Sequence, residues 1–239
     1  MMAANYYLRT KKRWLGMIDK QLSAAKIDLQ NRYGDETGLE MIEAIRAKFE
    51  TLLPEIPVLD RHISSLWTRQ LVLTAIFLSV YKVMHERYDK HAEESWEVCM
   101  MMFGGYLKKM PTFVKKMARR QAFSQRTKNQ YQKDAIQMAK RLQPEGDVMC
   151  YVSGEGKAFD YGTVFKECAK VKYLKKHDAE AFAPYVCLVD RLIAEAYGMG
   201  LVRTKTIADG DEECDFTLTD NSVIRIESPV WQEVWIKYL

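Results

Sequence analysis

The sequence predicts an α+β protein, with an amino-terminal helical layer packed with a carboxy-terminal unit of antiparallel sheet and helix. Three observations predict it. Apolar residues recur at helical spacing as far as about residue 142; Gly/Pro-bearing breaks fall around Pro54 and Pro57 and again at 143–147; and beyond Gly146, short β-branched and aromatic runs alternate with turn signals. The expected organisation is a helical region over 1–143 and an α+β region over 146–239, packed as one globular body, since 239 residues suffice to bury a real core.

Taken in order, residues 4–31 place Leu15, Ile18 and Leu22 on one helical face, and 38–52 repeats the pattern with Leu39, Ile42, Ile45 and Phe49. Residues 60–88 contain the longest apolar run, Leu71 to Met84, interrupted by Thr74, Ser79 and Lys82. It is too short and too interrupted for a bilayer and reads as a buried helix. The helical pattern continues from Glu93 to about Leu107, stops at Pro111 and resumes to Leu142. Between residues 108 and 141, eleven Lys and Arg face only Asp134. Such asymmetry can mark a nucleic-acid face, but few aromatic residues and no binding motif accompany it here, so a solvated or anion-attracting helix surface is preferred.

Beyond Gly146, Val148–Val152 and Asp160–Glu167 read as strands joined through a turn at Ser153–Lys157, whose glycine spacing fits neither phosphate-binding motif. A short helix is expected over Ala169–His177, then a longer one over Ala179–Tyr197, N-capped by Asp178 and ended by Gly198 and Gly200. Leu201–Ala208 and Cys214–Thr219 are predicted strands flanking an acidic turn, Ser222–Glu227 adds another, and Val230–Leu239 forms a closing helix.

An apolar share of 48% with 28% charged residues is ordinary for a soluble chain. The opening residues lack an apolar signal segment, so cytoplasmic residence is the expectation. Cysteines at 99, 150, 168, 187 and 214 are odd in number and widely spaced, which favours reduced thiols; without C-x-x-C spacing they offer no structural zinc site. His85 and Asp89 share a helix face, but the second His of a zinc-protease motif is missing, so no metal site is expected.

The chemistry-bearing residues gather between Phe159 and Thr219. Cys168 falls at a strand-to-helix junction, where free backbone N–H groups lower a thiol pKa; the alternative is a small residue filling a tight corner. Cys187 is expected mid-helix, three residues before Asp190. At 100° per residue, Phe182, Val186, Val189, Ile193 and Ala196 form the core stripe, leaving Cys187 and Asp190 on an adjoining face of small groups that admits a ligand or allows close packing. Cys214 alternates with Phe216 and Leu218, which makes a core role a serious rival to a site role, while Asp215 and Thr217 point the other way. Arg203 and Lys205 share a strand face; an Arg there suits a substrate carboxylate, or is simply solvated. His177 is the one histidine in the region that could move a proton near neutral pH.

The order Phe159-Asp160, an isolated Cys168, Cys187-x-x-Asp190, then Thr206, Gly210, Asp211 and Cys214-Asp215-Phe216 resembles the L-2-amino-thiazoline-4-carboxylate hydrolase family. The resemblance implies a hydrolase that opens a small thiazoline-like or cyclic amidine-like substrate at the carbon bonded to nitrogen and sulfur, with no cofactor. It implies Cys187, Asp190 and Asp215 as catalytic groups, with Cys168, Arg203, Thr206 and Cys214 binding substrate or supporting them. Two routes stay open: attack by a Cys187 thiolate, or water activated by a carboxylate. The expected partner is a small-molecule substrate rather than a membrane or nucleic acid, with homo-oligomerisation left open. The same region is also similar to vinyl-reductase-type ligand-binding domains, in which the cysteines would line a hydrophobic pocket without turnover. Two features depart from the hydrolase pattern: about twenty residues follow the Cys214-Asp215-Phe216 strand, among them Trp231 and Trp235, and the amino-terminal helices carry no matching signature.

Overall fold

Helical periodicity in the first part of the chain and strand alternation in the last part become an α+β structure. The computed structural model describes residues 2–221 and 223–227, with side chains from Tyr6. Along the chain run α1 (Met2–Arg9), α2 (Lys11–Tyr33), α3 (Asp35–Leu52), α4 (Ser65–Tyr88), α5 (Ala92–Cys99), α6 (Gly105–Lys109), α7 (Thr112–Ala122), α8 (Gln125–Met138), β1 (Val148–Ser153), β2 (Tyr161–Glu167), α9 (Ala169–Lys176), α10 (Ala183–Val186), α11 (Val189–Tyr197), β3 (Gly200–Arg203), β4 (Cys214–Thr219) and β5 (Ile224–Ile226). The closing helix expected over Val230–Leu239 lies outside the described residues.

The chain divides into two compact units. The first comprises Met1–Val58, Thr68–Lys109 and Tyr173–Val186. Of the residues expected on the core faces, Ile18 and Leu22 of α2 and Ile45 and Phe49 of α3 are buried, joined by Trp14, Leu29 and Met41, whereas Leu15 and Ile42 are half-buried and Leu39 is exposed. Gly38 permits this pairing, because a Cβ there would lie 2.9 Å from the Gln30 backbone. The α4 run is buried almost without interruption from Leu71 to Met84, although Tyr81 and Lys82 reach solvent in part. Its polar members are satisfied locally: the hydroxyls of Thr74 and Ser79 donate to the carbonyls of Gln70 and Ile76. Edge-on packing of Phe77 against Trp96 and Phe103 adds to this core. Among the described residues, no helix is long and apolar enough to cross a membrane.

The second unit comprises Leu59–Trp67, Met110–Lys172 and Cys187–Leu239, and it holds the sheet, in the order β1-β2-β4-β3-β5. The sheet is mixed: three pairings are antiparallel, as expected, and the edge strand β5 runs parallel to β3. The β1–β2 hairpin turns at Gly154, where an added Cβ would meet the Phe159 carbonyl oxygen at 2.1 Å. Helix α8 packs on β1. Asp134, the lone acid of the basic stretch, is buried and accepts from the Ser64 amide, the Trp67 indole and the Gln130 amide at 2.7–3.0 Å. Part of the surrounding positive charge is also paired, Arg119 with Asp220 and Lys128 with Asp160.

Two expected elements are corrected. The helix expected from Ala179 to Tyr197 is broken into a 3₁₀ turn (Glu180–Phe182), α10 and α11, with Cys187 and Leu188 in the joint. Asp178 is not its N-cap, for it adopts a left-handed φ of 52° and the turn begins after Ala179. Because the joint resets the helical angle, α11 buries Val189, Leu192 and Ala194, while Ile193 and Ala196 are only half-buried. Strand β3 also stops at Arg203 rather than continuing to Ala208, so Arg203 and Lys205 do not share a strand face: Arg203 is fully buried and Lys205 is exposed.

Candidate active site

The candidate site lies within the second unit, where β2 passes into α9 and α11 packs on β3. Cys168 occupies the junction. Beyond it, the Ala169 amide at the start of α9 donates to Asp147 Oδ1 at 2.7 Å, so a carboxylate distant in sequence caps the helix and fixes Cys168. Lys170 follows in the first turn of α9.

The joint at Cys187 has an identifiable cause. In an unbroken helix its carbonyl would accept from the Arg191 amide; here Arg191 and Leu192 both donate to Leu188, and the Cys187 carbonyl accepts from Arg203 Nη2 at 3.3 Å. Arg203 Nη1 donates to Asp190 Oδ2 at 3.0 Å, and the guanidinium carbon lies 5.1 Å from the Phe216 ring centroid. The Arg203 side chain is 0% exposed and that of Asp190 22%. The planar fork of Arg203 thus binds a backbone acceptor and a carboxylate together.

Thr206 completes a short relay. Its hydroxyl accepts from the Ala208 amide, capping a 3₁₀ turn, and donates to Cys187 Sγ at 3.9 Å. Cys214 Sγ accepts from the Ile207 amide at 3.2 Å and donates to Thr206 Oγ1 at 3.6 Å. Cys187, Asp190, Arg203, Thr206 and Cys214 are therefore brought together by direct contacts, with Cys168 close enough to feel the charge states of Cys187 and Cys214. Asp215 takes a different position. Strand alternation turns it away from Cys214 and Phe216, and its carboxylate accepts from the Thr204 amide, the Thr204 hydroxyl and the Lys205 amide at 2.6–2.8 Å, tying the β3–β4 connection. His177 belongs to the first unit, where it packs against Tyr173.

Burial dominates the electrostatics. It pushes the Cys168 thiol up to about 12, with Lys170 opposing and Asp147 adding to the rise. Burial outweighs any lowering expected from the helix start, whose first amide is engaged by Asp147. Burial also raises the Cys187 thiol against the pull of Arg203 and Lys170. Asp215 is drawn upward by burial, but its hydrogen bonds outweigh this and hold it below the usual carboxylate range. Burial opposes the charge on Lys170, yet Asp190, Cys168, Cys187 and Asp147 outweigh it and hold the ammonium above its ordinary value. Among the described residues, no three His, Cys, Asp or Glu side chains converge as a metal site.

The model of the L-2-amino-thiazoline-4-carboxylic acid hydrolase family matches residues 69–218, well over half of the 239. The chain belongs to this family. No curated protein and no solved structure matches it. The span matched to these hydrolases contains every residue of the cluster, from Asp147 to Cys214, and Asp215 as well.

Sequence reasoning passed over Lys170 and Tyr131. Tyr131, on α8, feels both Asp190 and Lys170, and its hydroxyl is pushed up to about 12, first by burial and then by Asp190 and Asp134. One signal could have pointed to Lys170: it stands two residues after Cys168, in the first turn of a helix that opens at a strand end. Tyr131 lay inside a charge run that read as surface.

Proposed function

We propose that this hydrolase-family member opens a small thiazoline-like or cyclic amidine-like compound at the ring carbon bonded to both nitrogen and sulfur, using water activated at Asp190. The observation that supports this reading best is the contrast between the two nearby groups. Asp190 is partly exposed, is oriented through Oδ2 by a buried guanidinium, and keeps Oδ1 without a hydrogen bond among the described residues. Cys187 is 6% exposed and its thiol is raised by burial, so at neutral pH it rests as the poorly nucleophilic neutral form.

A 2-amino-thiazoline carries an isothiourea, whose protonated form is an electrophilic cation suited to a carboxylate neighbour. In the proposed step a water oxygen bonds to the ring carbon and Asp190 takes its proton. The carbon–sulfur bond then breaks as the added oxygen becomes the urea carbonyl and releases its remaining proton to solvent; the bond's electron pair leaves on sulfur, and sulfur takes the first proton back from Asp190. The product is an open-chain thiol bearing a urea, and water is the only co-reactant. Asp215 serves as the tie of the β3–β4 connection, and Thr206 and Cys214 as the packed floor beneath Cys187. The five free cysteines fit a reducing compartment, and cytoplasmic residence is part of the proposal.

One observation favours the covalent route as a second reading: Arg203 and Lys170 both draw the Cys187 thiol downward. Thiol release from 2-amino-thiazoline-4-carboxylate separates the two. The water route expects Cys187→Ser to keep turnover within about tenfold of the parent, and Asp190→Asn to lose at least about 100-fold, the scale of a general base. Abolished turnover in Cys187→Ser would select the covalent route. Full activity in both variants would place the chemistry elsewhere.

A further inference from the structure

Helix α7, at the start of the basic stretch, takes no part in the candidate active site. Its eleven residues, TFVKKMARRQA, hold four cations and no acid, and none of them is buried. One edge of the helix is tied down. Val114, Ala118 and Ala122 are half-buried, the helix packs on α11, and Arg119 donates through Nε to Asp220 Oδ1 at 2.7 Å and through Nη2 to the Asp220 carbonyl at 3.2 Å. That attachment leaves Phe113, Lys116, Met117 and Arg120 exposed, at the i, i+3, i+4, i+7 spacing of one helical face. Phe113 and Met117, one turn apart, are each 65% exposed. Lys116 and Arg120 beside them, half-buried Lys115, and Arg126 and Lys133 on α8 make no ion pair within 4.0 Å among the described residues.

We propose that the outer face of α7 is a peripheral docking surface for a bilayer containing anionic lipid. The inference is independent of the hydrolase reading. Unpaired cations on a helix without acids attract a polyanion, and the two apolar side chains set among them decide which kind. A nucleic acid would offer phosphates to Lys116 and Arg120, but α7 carries a single aromatic ring for base stacking, and Met117 would gain nothing. An anionic bilayer satisfies both sets of residues: its headgroups neutralise Lys116 and Arg120, while Phe113 and Met117 enter the boundary between headgroups and acyl chains, as in interfacial helices. Such a contact needs no spanning segment, and no described helix is long and apolar enough to provide one. A membrane was not among the partners expected from the sequence, because the exposure of Phe113 and Met117 is set by how α7 packs and not by its spacing alone.

The test uses the full chain and sedimentation with vesicles of phosphatidylcholine, either alone or with about 30% phosphatidylserine, in about 0.1 M salt. Wild-type protein should bind the phosphatidylserine vesicles at least about tenfold more tightly than the neutral ones, and about 0.5 M salt should release it. Lys116→Gln combined with Arg120→Gln should weaken vesicle binding about 25-fold, roughly fivefold for each charge at the surface, and should also weaken retention on heparin. Phe113→Ser combined with Met117→Ser should weaken vesicle binding about tenfold and leave heparin retention unchanged. All four positions are exposed, so both variants should keep the urea midpoint of the parent. Equal binding of the wild type to both kinds of vesicle would overturn the proposal without reference to any variant. Vesicle binding that survives the loss of Phe113 and Met117 would overturn it too, and tight retention of duplex RNA alongside that result would assign the face to nucleic acid instead.

Discussion

Replacing Asp190 with Asn should destabilise the second unit by about 2–3 kcal/mol, independently of any effect on turnover. Removing one partner of a fully buried ion pair costs about 3–5 kcal/mol, because the other charge is stranded. Arg203 is 0% exposed, which argues for the full cost; the Asp190 side chain is 22% exposed, and an Asn oxygen could still accept from Nη1, which argues for less. The Cys187 carbonyl keeps its bond to Nη2 in either case. With a denaturant slope of about 3 kcal/mol per molar urea, the expected shift in midpoint is roughly 0.7–1 M. Urea unfolding at pH 7 should give nearly the same shift at low and at moderate salt, since buried pairs are weakly screened. Arg203→Met alone should cost a similar amount, and the double variant should cost less than the sum by about 1.5 kcal/mol or more, the signature of a direct partner. A shift of about 0.2 M or less, or additive losses, would place the pair among surface bridges worth about 0–1 kcal/mol and undo the argument.

Thiol labelling of the native protein should show one fast cysteine, Cys150, which is exposed, while the four buried ones react only as the protein opens. Cys150→Ser should remove the fast phase, and fast labelling of Cys187 would instead show a resting thiolate. Asp215→Ala should cost about 2 kcal/mol, since three donors lose their acceptor at a partly solvated site. The Asp215 carboxyl is depressed on folding, so its contribution is present above its unfolded value of 3.8 and is lost as pH falls through the lower folded value. The gap in urea midpoint between parent and Asp215→Ala should therefore be full at pH 6 and narrow on acidification below about pH 4; a gap that widens in acid would show the hydrogen bonds to be misassigned.

What could be read in the sequence was whatever local pattern decides. The strands Val148–Ser153, Tyr161–Glu167 and Cys214–Thr219 stand out because β-branched and aromatic residues fall between turn signals, and α4 because its apolar run leaves no polar face. The resemblance carried by Cys168, Cys187, Asp190 and Cys214 led to the right family, and most of those residues do meet in space. The break at Cys187 could not be read, since the segment around it keeps helical spacing and the hydrogen bond that opens the helix comes from Arg203, sixteen residues away. Asp178 looked like a cap by residue type, but its left-handed backbone follows from how the chain leaves α9. Lys170 and Tyr131 stand far from Asp190 in sequence, so no one-dimensional spacing encodes that its charge adds to the rise of both.

The Arg203 fork gives the fold and the candidate site a common physical origin. By taking the Cys187 carbonyl out of the helical ladder it stops α10 from running into α11, and by taking Oδ2 of Asp190 it fixes the first turn of α11 against β3. Had the helix continued, that carbonyl would bond to the Arg191 amide and would not be open to Arg203 Nη2. Nη2 would then lose this carbonyl as an acceptor, a costly change for a buried charge. The helical ladder thus loses one backbone hydrogen bond, and the cluster gains a charge-assisted one together with a carboxylate of set orientation. Lysine at 203 could not reproduce this, since a single ammonium on a flexible stem lacks the two-edged planar geometry that reaches both acceptors. The irregularity at Cys187 is therefore the local cost of orienting Asp190, and orientation of Asp190 is what the proposed water attack requires.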